Sequence, residues 1–424
     1  MLMSSIFIQI ASYRDLELVP TIADCLKKAS GKHSLTFGVV WQRGPEETLG
    51  GYENNPNIRV IDIPWAQSKG LGWARSLTQS LYQGEDYTLQ LDSHHRFSQN
   101  WDDDLISMLK LTQTVSDKPM LTAYAAGYDP ANDSVLTPNA CKVLPHDFKR
   151  SGTIWFNPVS IMDNNLLMFP IGARLVSGHY FFTLGQHCTE YAYDPDIYFA
   201  GDEISLSVRS YTMGYDLYHP NKCFVWHHYG RNDRIKHWGD HNQTEKEAGI
   251  IEQTWGERDI YSKKRIRQLL GEEDNNIDLG IYGLGNIRTL QEYETYAGFD
   301  FKKKRIQKSS IEGVNPPVKF DSPIDYENGF KKTTPIRLPK WPINDYMAFG
   351  ESLDYVTIDF MNLRRETIHR DTLYRNQLMN MIHTLYQTIV CADYYPMKVV
   401  LTAMGGDKIL HKWEKDLREN IHWD

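Results

Sequence analysis

Tyr87-Thr88-Leu89-Gln90-Leu91-Asp92-Ser93-His94 runs residues suited to a buried strand straight into an acid and a histidine two positions apart. Successive side chains of a strand point to opposite sides, so positions i and i+2 share one side. If the chain stays extended, Asp92 and His94 face the same way and can grip one ion. A carboxylate with an imidazole suits Mn²⁺, or another borderline divalent cation, better than Mg²⁺, which prefers an all-oxygen shell. The bland alternative is a turn acid beside a satisfied core histidine.

The segments around this stretch define its setting. Apolar, partly β-branched residues at 5–11, 35–41 and 58–63 alternate with helical patterns at 18–29, 70–82 and 101–112. Such alternation predicts an α/β layered domain with a mainly parallel sheet. In such sheets ligands bind beyond the carboxyl ends of the strands. Ser12-Tyr13-Arg14-Asp15, Trp41-Gln42-Arg43 and Asp92-Ser93-His94 all fall at that edge. Farther on, strands are expected at 121–126 and 224–226 and a helix from Glu203 to Met213, with a polar, His/Trp/Arg-rich active-site loop at 229–255. A Pro-rich linker or strap is expected over 301–342. It separates a domain at 1–300 from a smaller α+β region at 343–424. In that region strands are expected at 354–360 and 398–402. Helices are expected within 364–391, on a stripe of Leu378, Ile382, Leu385 and Ile389, and at 408–421.

Composition narrows the function classes. The 424 residues carry a net charge of −8 with 41% hydrophobic residues, so a nucleic-acid partner with its basic stripe is not expected. The five cysteines are scattered without a CxxC pair, against a zinc site and for a reducing compartment. No run approaches the ~20 apolar residues of a membrane span. The N-terminus, Met1-Leu2-Met3-Ser4-Ser5-Ile6, reads as the approach to a first buried strand rather than a leader. A cytoplasmic protein is expected.

One Asp and one His rarely hold a cation unaided, so a third ligand is sought far away. Trp226-His227-His228-Tyr229-Gly230-Arg231 follows an expected strand and supplies imidazoles and a cation together. Lys69-Gly70-Leu71-Gly72-Trp73-Ala74-Arg75 opens a helix with glycines, which permit close backbone approach, while a helix N-terminus favours anions. Arg75 can pair with phosphate oxygens in a forked geometry. Gly201-Asp202-Glu203 places two acids at a helix start, either near a reaction centre or as caps.

Taken in order, Ile10-Ala11-Ser12-Tyr13-Arg14-Asp15, Gly70-x-Gly72-Trp73-Ala74-Arg75, Leu91-Asp92-Ser93-His94-x-Arg96-Phe97, Tyr193-Asp194-Pro195, Gly201-Asp202-Glu203, Gly214-Tyr215-Asp216 and His227-x-Tyr229-x-Arg231 resemble the GlcNAc-transferase family of the GT-A fold, glycosyltransferase family 60, over roughly residues 5–260. The resemblance implies a GT-A, Rossmann-like fold and a metal-dependent, retaining transfer of GlcNAc from UDP-GlcNAc to a hydroxyl acceptor on a protein or peptide; the best-known relatives are cytoplasmic enzymes that modify hydroxyproline. It implies Asp92, His94 and His227 as metal ligands, with His228 as the alternative third. Arg231 and Arg75 become diphosphate contacts, and Ser12, Tyr13 and Arg14 line the uridine pocket. Arg43 and Gly72 join the donor-binding set, with Asp92 reaching the donor through the metal. Asp202 and Glu203 become sugar-side or acceptor-side acids, although the box reads Gly-Asp-Glu where the family pattern carries Gly-Glu-Glu. The region beyond 300 matches nothing in the family and is expected to bind the acceptor or a second copy of the chain. Two rivals are a metal-dependent hydrolase, for which no HExxH is present, and a catalytically silent sugar-nucleotide or glycan-binding protein on the same fold.

Overall fold

The computed structural model describes residues 3–132, 139–148, 153–161, 168–230, 234–330, 332–338, 349–375, 386–392 and 396–417. Contacts divide the chain into two compact units, Met1–Lys302 with Ser309–Lys319, and Lys303–Lys308 with Phe320–Asp424.

The first unit is a mixed α/β domain. It opens with β1 (Ser5–Tyr13), α1 (Leu18–Lys28), β2 (Ser34–Arg43), β3 (Ile58–Pro64), α2 (Leu71–Gln79), β4 (Tyr87–Leu91), β5 (His95–Phe97) and α3 (Trp101–Thr112). It continues with β6 (Pro119–Thr122), β7 (Ala126–Gly127), β8 (Cys141–Phe148), β9 (Ile154–Ser160), β10 (Ile171–Gly172), β11 (Tyr180–Leu184), α4 (His187–Glu190), α5 (Asp202–Thr212), β12 (Asp216–His219) and β13 (Val225–His227). The short helices α6 (His237–Asp240) and α7 (Gln243–Glu247) follow, then α8 (Trp255–Leu269) and α9 (Leu290–Ala297).

Eight strands form one sheet in the order β10-β12-β6-β11-β4-β1-β2-β3. β4, β1, β2 and β3 run parallel, and β11 inserts antiparallel between β4 and β6. The strand expectations at 5–11, 35–41, 58–63 and 87–91 and the helix expectations at 18–29, 70–82 and 101–112 are met within a few residues. The reason is periodicity: α1 buries Leu18, Ile22 and Cys25, one stripe at helical spacing, while every residue of β4 is buried because both faces of the strand are covered. One face of β4 adds Leu89 and Leu91 to an apolar core with Ile8, Ile22, Phe37, Trp101 and Leu105. The other face buries Thr88 and Gln90, which are satisfied internally: Gln90 Nε2 donates to Gly178 O at 2.8 Å and Tyr193 Oη donates to Gln90 Oε1 at 2.8 Å. A buried polar group without such partners would cost roughly 1–3 kcal/mol.

A second, three-stranded sheet, β5-β13-β7, stands beyond the end of β4. Its register pairs His227 with His95 and Trp226 with Arg96, and His228 N donates to His94 O at 3.1 Å.

The second unit carries a four-stranded antiparallel sheet in the order Thr367–Tyr374, Tyr355–Met361, Lys398–Gly405, Lys408–Asp416. Val356, Ile358, Phe360, Val399, Leu401 and Ala403 alternate into its core. The strands expected at 354–360 and 398–402 are present. The helix expected at 408–421 is instead a strand over its described part, and the helix expected within 364–391 gives way to the strands Thr367–Tyr374 and Tyr386–Ala392. Leu378, Ile382 and Leu385 lie outside the described residues. Lys408–Asp416 is rich in helix-forming Lys, Leu and Glu, but Gly406, at φ +56°, turns the chain back after Gly405. A hairpin then satisfies the backbone, and tertiary pairing overrides a propensity of a few tenths of a kcal/mol per residue. Within 301–342, a helix at Pro323–Asn328 and a strand at Lys332–Leu338 occupy part of the expected strap.

Candidate active site at the carboxyl edge of the sheet

A cavity of about 540 Å³ opens beyond the carboxyl ends of β1, β2 and β4. Ala11, Tyr13 and Gln42 line one part of it, and Asp92, His94 and His227 another.

The expectation of an extended Asp92–His94 segment is replaced by a bend: β4 ends at Leu91 and β5 begins at His95. The bend still brings the acid and the imidazole together. His94 Nε2 lies 3.5 Å from Asp92 Oδ2, His227 Nε2 lies 3.5 Å from the same oxygen, and the two Nε2 atoms are 3.0 Å apart. These three groups form the one cluster of potential metal ligands found among the described residues. Ligands at about 2.1 Å from a single ion and at right angles to one another lie about 3.0 Å apart, and tetrahedral ones about 3.4 Å. The triangle therefore fits a divalent cation. The choice between the two histidines is made by register: β13 pairing turns His227 toward Asp92, while the His228 ring packs 5.8 Å from Tyr128.

The electrostatics suit ligation. Burial alone would raise the Asp92 carboxyl, but the neighbouring His227 and His94 imidazoles and the charge of Arg75 hold it well below the usual range. Burial pushes the His227 imidazole well down, so it is neutral at physiological pH. His179 and His95, whose rings lie 4.3 and 5.0 Å from that of His227, are driven down by burial in the same way. Asp15 closes the cluster from behind: burial would raise its carboxyl, but the hydrogen bond and charge of His94 with the charge of Arg234 hold it well down.

Arg75 lines the cavity but is occupied within the protein. It pairs with Asp202, donates to Gly178 O at 2.5 Å and reaches Asp92 Oδ1 at 3.3 Å. Burial would lower the guanidinium, yet Asp202, Tyr193 and Asp92 hold it above its ordinary value. Asp202 therefore sits under Arg75, its carboxyl raised by burial against that pairing. Glu203 accepts from Tyr124 Oη at 2.6 Å and from Gly178 N at 2.9 Å, and burial raises its carboxyl to about 7.

The glycine-opened helix differs from its expected use. Leu71 N donates to Tyr198 O at 2.8 Å and Gly72 N to Ile197 O at 3.1 Å, so the first amides of α2 are spent inside the protein. A Cβ on Gly72 would lie 2.5 Å from the carbonyl oxygens of both Asp194 and Ile197. Gly72 permits close packing of the 194–198 segment, not approach of a phosphate.

The other sequence-derived residues divide. Tyr13 lines the cavity, its ring 4.9 Å from that of His237. Ser12 is buried below the surface. Arg14 is turned to Asp240, with bonds of 3.0 and 2.9 Å, and Tyr13 Oη donates to the same carboxylate at 2.7 Å. Arg43 pairs with Asp62 at 2.7 Å and is not part of the cavity wall. Both arginines are drawn off by acids remote in sequence. Arg231 lies outside the described residues. Sequence reasoning passed over Asp15, Tyr124, His179, Arg234 and Lys236. Asp15 stood within a quoted motif, and Arg234 and Lys236 within the expected loop, but nothing local marked Tyr124 or His179.

Comparison with known proteins yields no curated relative that matches this sequence. Similar solved structures include GalNAc-T7 with UDP, GalNAc and Mn²⁺, at 16% identity and a TM-score of 0.44, covering 69% of this chain and 54% of that one. The chain thus spans about half the length of GalNAc-T7. S. aureus TarS 1–349 in complex with UDP-GlcNAc is similar at 11% identity and a TM-score of 0.36, covering 64% of this chain and 74% of that one. The family model "Glycosyltransferase (GlcNAc)" matches residues 5–55 and 51–303. That match takes in well over half of the chain, and the protein belongs to this glycosyltransferase family.

Proposed function

We propose that the protein transfers GlcNAc from UDP-GlcNAc, with retention, to a hydroxyl of a protein or peptide acceptor, using Mn²⁺ or a similar cation at Asp92, His94 and His227. The observation that carries this reading is the convergence of those three groups, 3.0–3.5 Å apart, on the wall of the cavity at the carboxyl edge of the sheet. A cation held there supplies positive charge to a departing diphosphate. The family description supports GlcNAc as the sugar.

The protein's own groups divide the remaining work. Tyr13 and Gln42 line the end of the cavity assigned to the nucleobase, where the Gln42 amide is held by Ser12 O and Ser68 Oγ. Arg234 and Lys236, both in the cavity wall, bring cations to the phosphate side, with Arg231 added by the resemblance. Arg75 holds Asp92 and Asp202 in place. Glu203, near neutrality in its proton affinity, faces the sugar and acceptor side and can take up a proton there. Asp202 is committed to Arg75 and Glu203 to Tyr124 and Gly178, which supports attack on the same face as the leaving group over a covalent sugar–carboxylate step. The scattered cysteines and the resemblance support a cytoplasmic location. The second unit is assigned to acceptor binding or self-association.

UDP release from a panel of UDP-sugars with Mn²⁺ and peptide acceptors tests the reading. UDP-GlcNAc is expected to be the preferred donor, and Asp92→Asn to lower turnover by at least ~100-fold with an unchanged melting profile. Full activity in Asp92→Asn refutes the site. Nucleotide binding without turnover in the unmodified chain would mark a silent binding protein instead.

A further inference from the structure

The buried carboxylate of Asp15 has no task in the scheme above. Its side chain is 3% exposed, and one oxygen, Oδ2, receives Ser93 Oγ at 2.6 Å, faces His94 Nδ1 at 2.7 Å and pairs with the Arg234 guanidinium. Topology explains the meeting. β1 and β4 are parallel neighbours with Ile10 opposite Leu91, so the segments leaving their carboxyl ends emerge side by side, one carrying Asp15 and the other His94.

The consequence lies in the imidazole. A ring that gives its Nδ1 proton to a carboxylate keeps its lone pair on Nε2, and His94 Nε2 is the atom that faces Asp92 and His227. His227 is held differently. Its Nδ1 has no hydrogen-bond partner among the described residues, and its ring packs against those of His179 and Tyr229, at 4.3 and 4.2 Å. Of the two imidazoles, only His94 has a carboxylate shown behind it.

We infer that Asp15 is a positioning residue for the metal: through Nδ1 it fixes the tautomer and orientation of His94, and Arg234 keeps its carboxylate in place. The inference rests on the proposed cation site. Carboxylates in this position behind a ligating histidine raise its basicity, and their loss weakens metal affinity by about 10–100-fold.

The test is Mn²⁺ binding to the full-length chain without nucleotide, read as free Mn²⁺ by electron paramagnetic resonance, beside the Mn²⁺ dependence of UDP release. Asp15→Asn is expected to weaken Mn²⁺ binding by about 10–100-fold, while kcat at saturating Mn²⁺ stays within about threefold of the unmodified protein. A merely structural role would lower kcat and leave the affinity of the folded fraction unchanged. Unaltered Mn²⁺ affinity in folded Asp15→Asn overturns the inference but leaves the cation site standing. Absence of Mn²⁺ binding in the unmodified chain overturns the site itself. Should Asp15→Asn not fold, the double variant Asp15→Asn/Arg234→Gln removes the stranded cation and is titrated for Mn²⁺ binding alone. Folding that requires added Mn²⁺ supports the inference, and failure to fold with or without Mn²⁺ refutes it by making Asp15 structural.

Discussion

Replacing Arg75 with Met distinguishes a phosphate-binding arginine from an internal brace. The side chains of Arg75 and Asp202 are 4% and 5% exposed, and Arg75 also satisfies Gly178 O and contacts Asp92. Removing the guanidinium strands the Asp202 carboxylate in a buried site, and breaking a buried pair by deleting one partner costs about 3–5 kcal/mol. At about 2 °C per kcal/mol for a domain of this size, the melting temperature falls by roughly 6–10 °C. The double variant Arg75→Met/Asp202→Asn removes both charges and is expected to lose less than the sum of the single losses, by about 1.5–3 kcal/mol. Scanning calorimetry of the four proteins completes the cycle. A phosphate-binding role without bracing predicts a nearly unchanged melting temperature, a raised KM for the UDP-sugar and additive single effects. A loss below about 1 kcal/mol with additivity in the cycle would refute the brace.

Glu203 makes stability depend on pH. Its carboxyl is raised from 4.5 to about 7, so the folded state binds more protons than the unfolded state between those values, and stability falls as pH rises through that window. Glu203→Gln removes this dependence. Measured by denaturation, the stability of the variant relative to the unmodified chain should rise by roughly 1–3 kcal/mol from pH 4.5 to pH 8, and a constant difference counts against the assignment. Gly72→Ala brings a Cβ to 2.5 Å from two carbonyl oxygens and should cost more than about 2 kcal/mol. Gly239→Ala, whose Cβ meets open space, should stay within about 0.5 kcal/mol. Equal melting temperatures for these two variants would contradict the close packing at α2.

Apart from the short β5, the order of strands and helices through residue 112 was legible because each element announces itself locally: a buried run at Tyr87–Leu91, an apolar stripe at helical spacing in α1 and α3. The site was legible as residue types, an acid and histidines at strand exits, and its three expected ligands do converge. The second unit was harder to read. Lys408–Asp416 has helix-forming residues, and only pairing with Lys398–Gly405 makes it a strand.

Arginine partners were the other blind spot. Arg14, Arg43 and Arg75 all carry charges suited to phosphate, yet Asp240, Asp62 and Asp202 claim them.

From the sequence alone came the layered α/β plan and the edge of the sheet where chemistry belongs, since both follow from side-chain periodicity over neighbouring residues. Tertiary structure alone decided that His227 rather than His228 meets Asp92, that Asp15 stands behind His94, and that Arg75 braces carboxylates inside the protein. Those outcomes depend on strand register and on the nearest opposite charge in space, and neither is encoded in spacing along the chain.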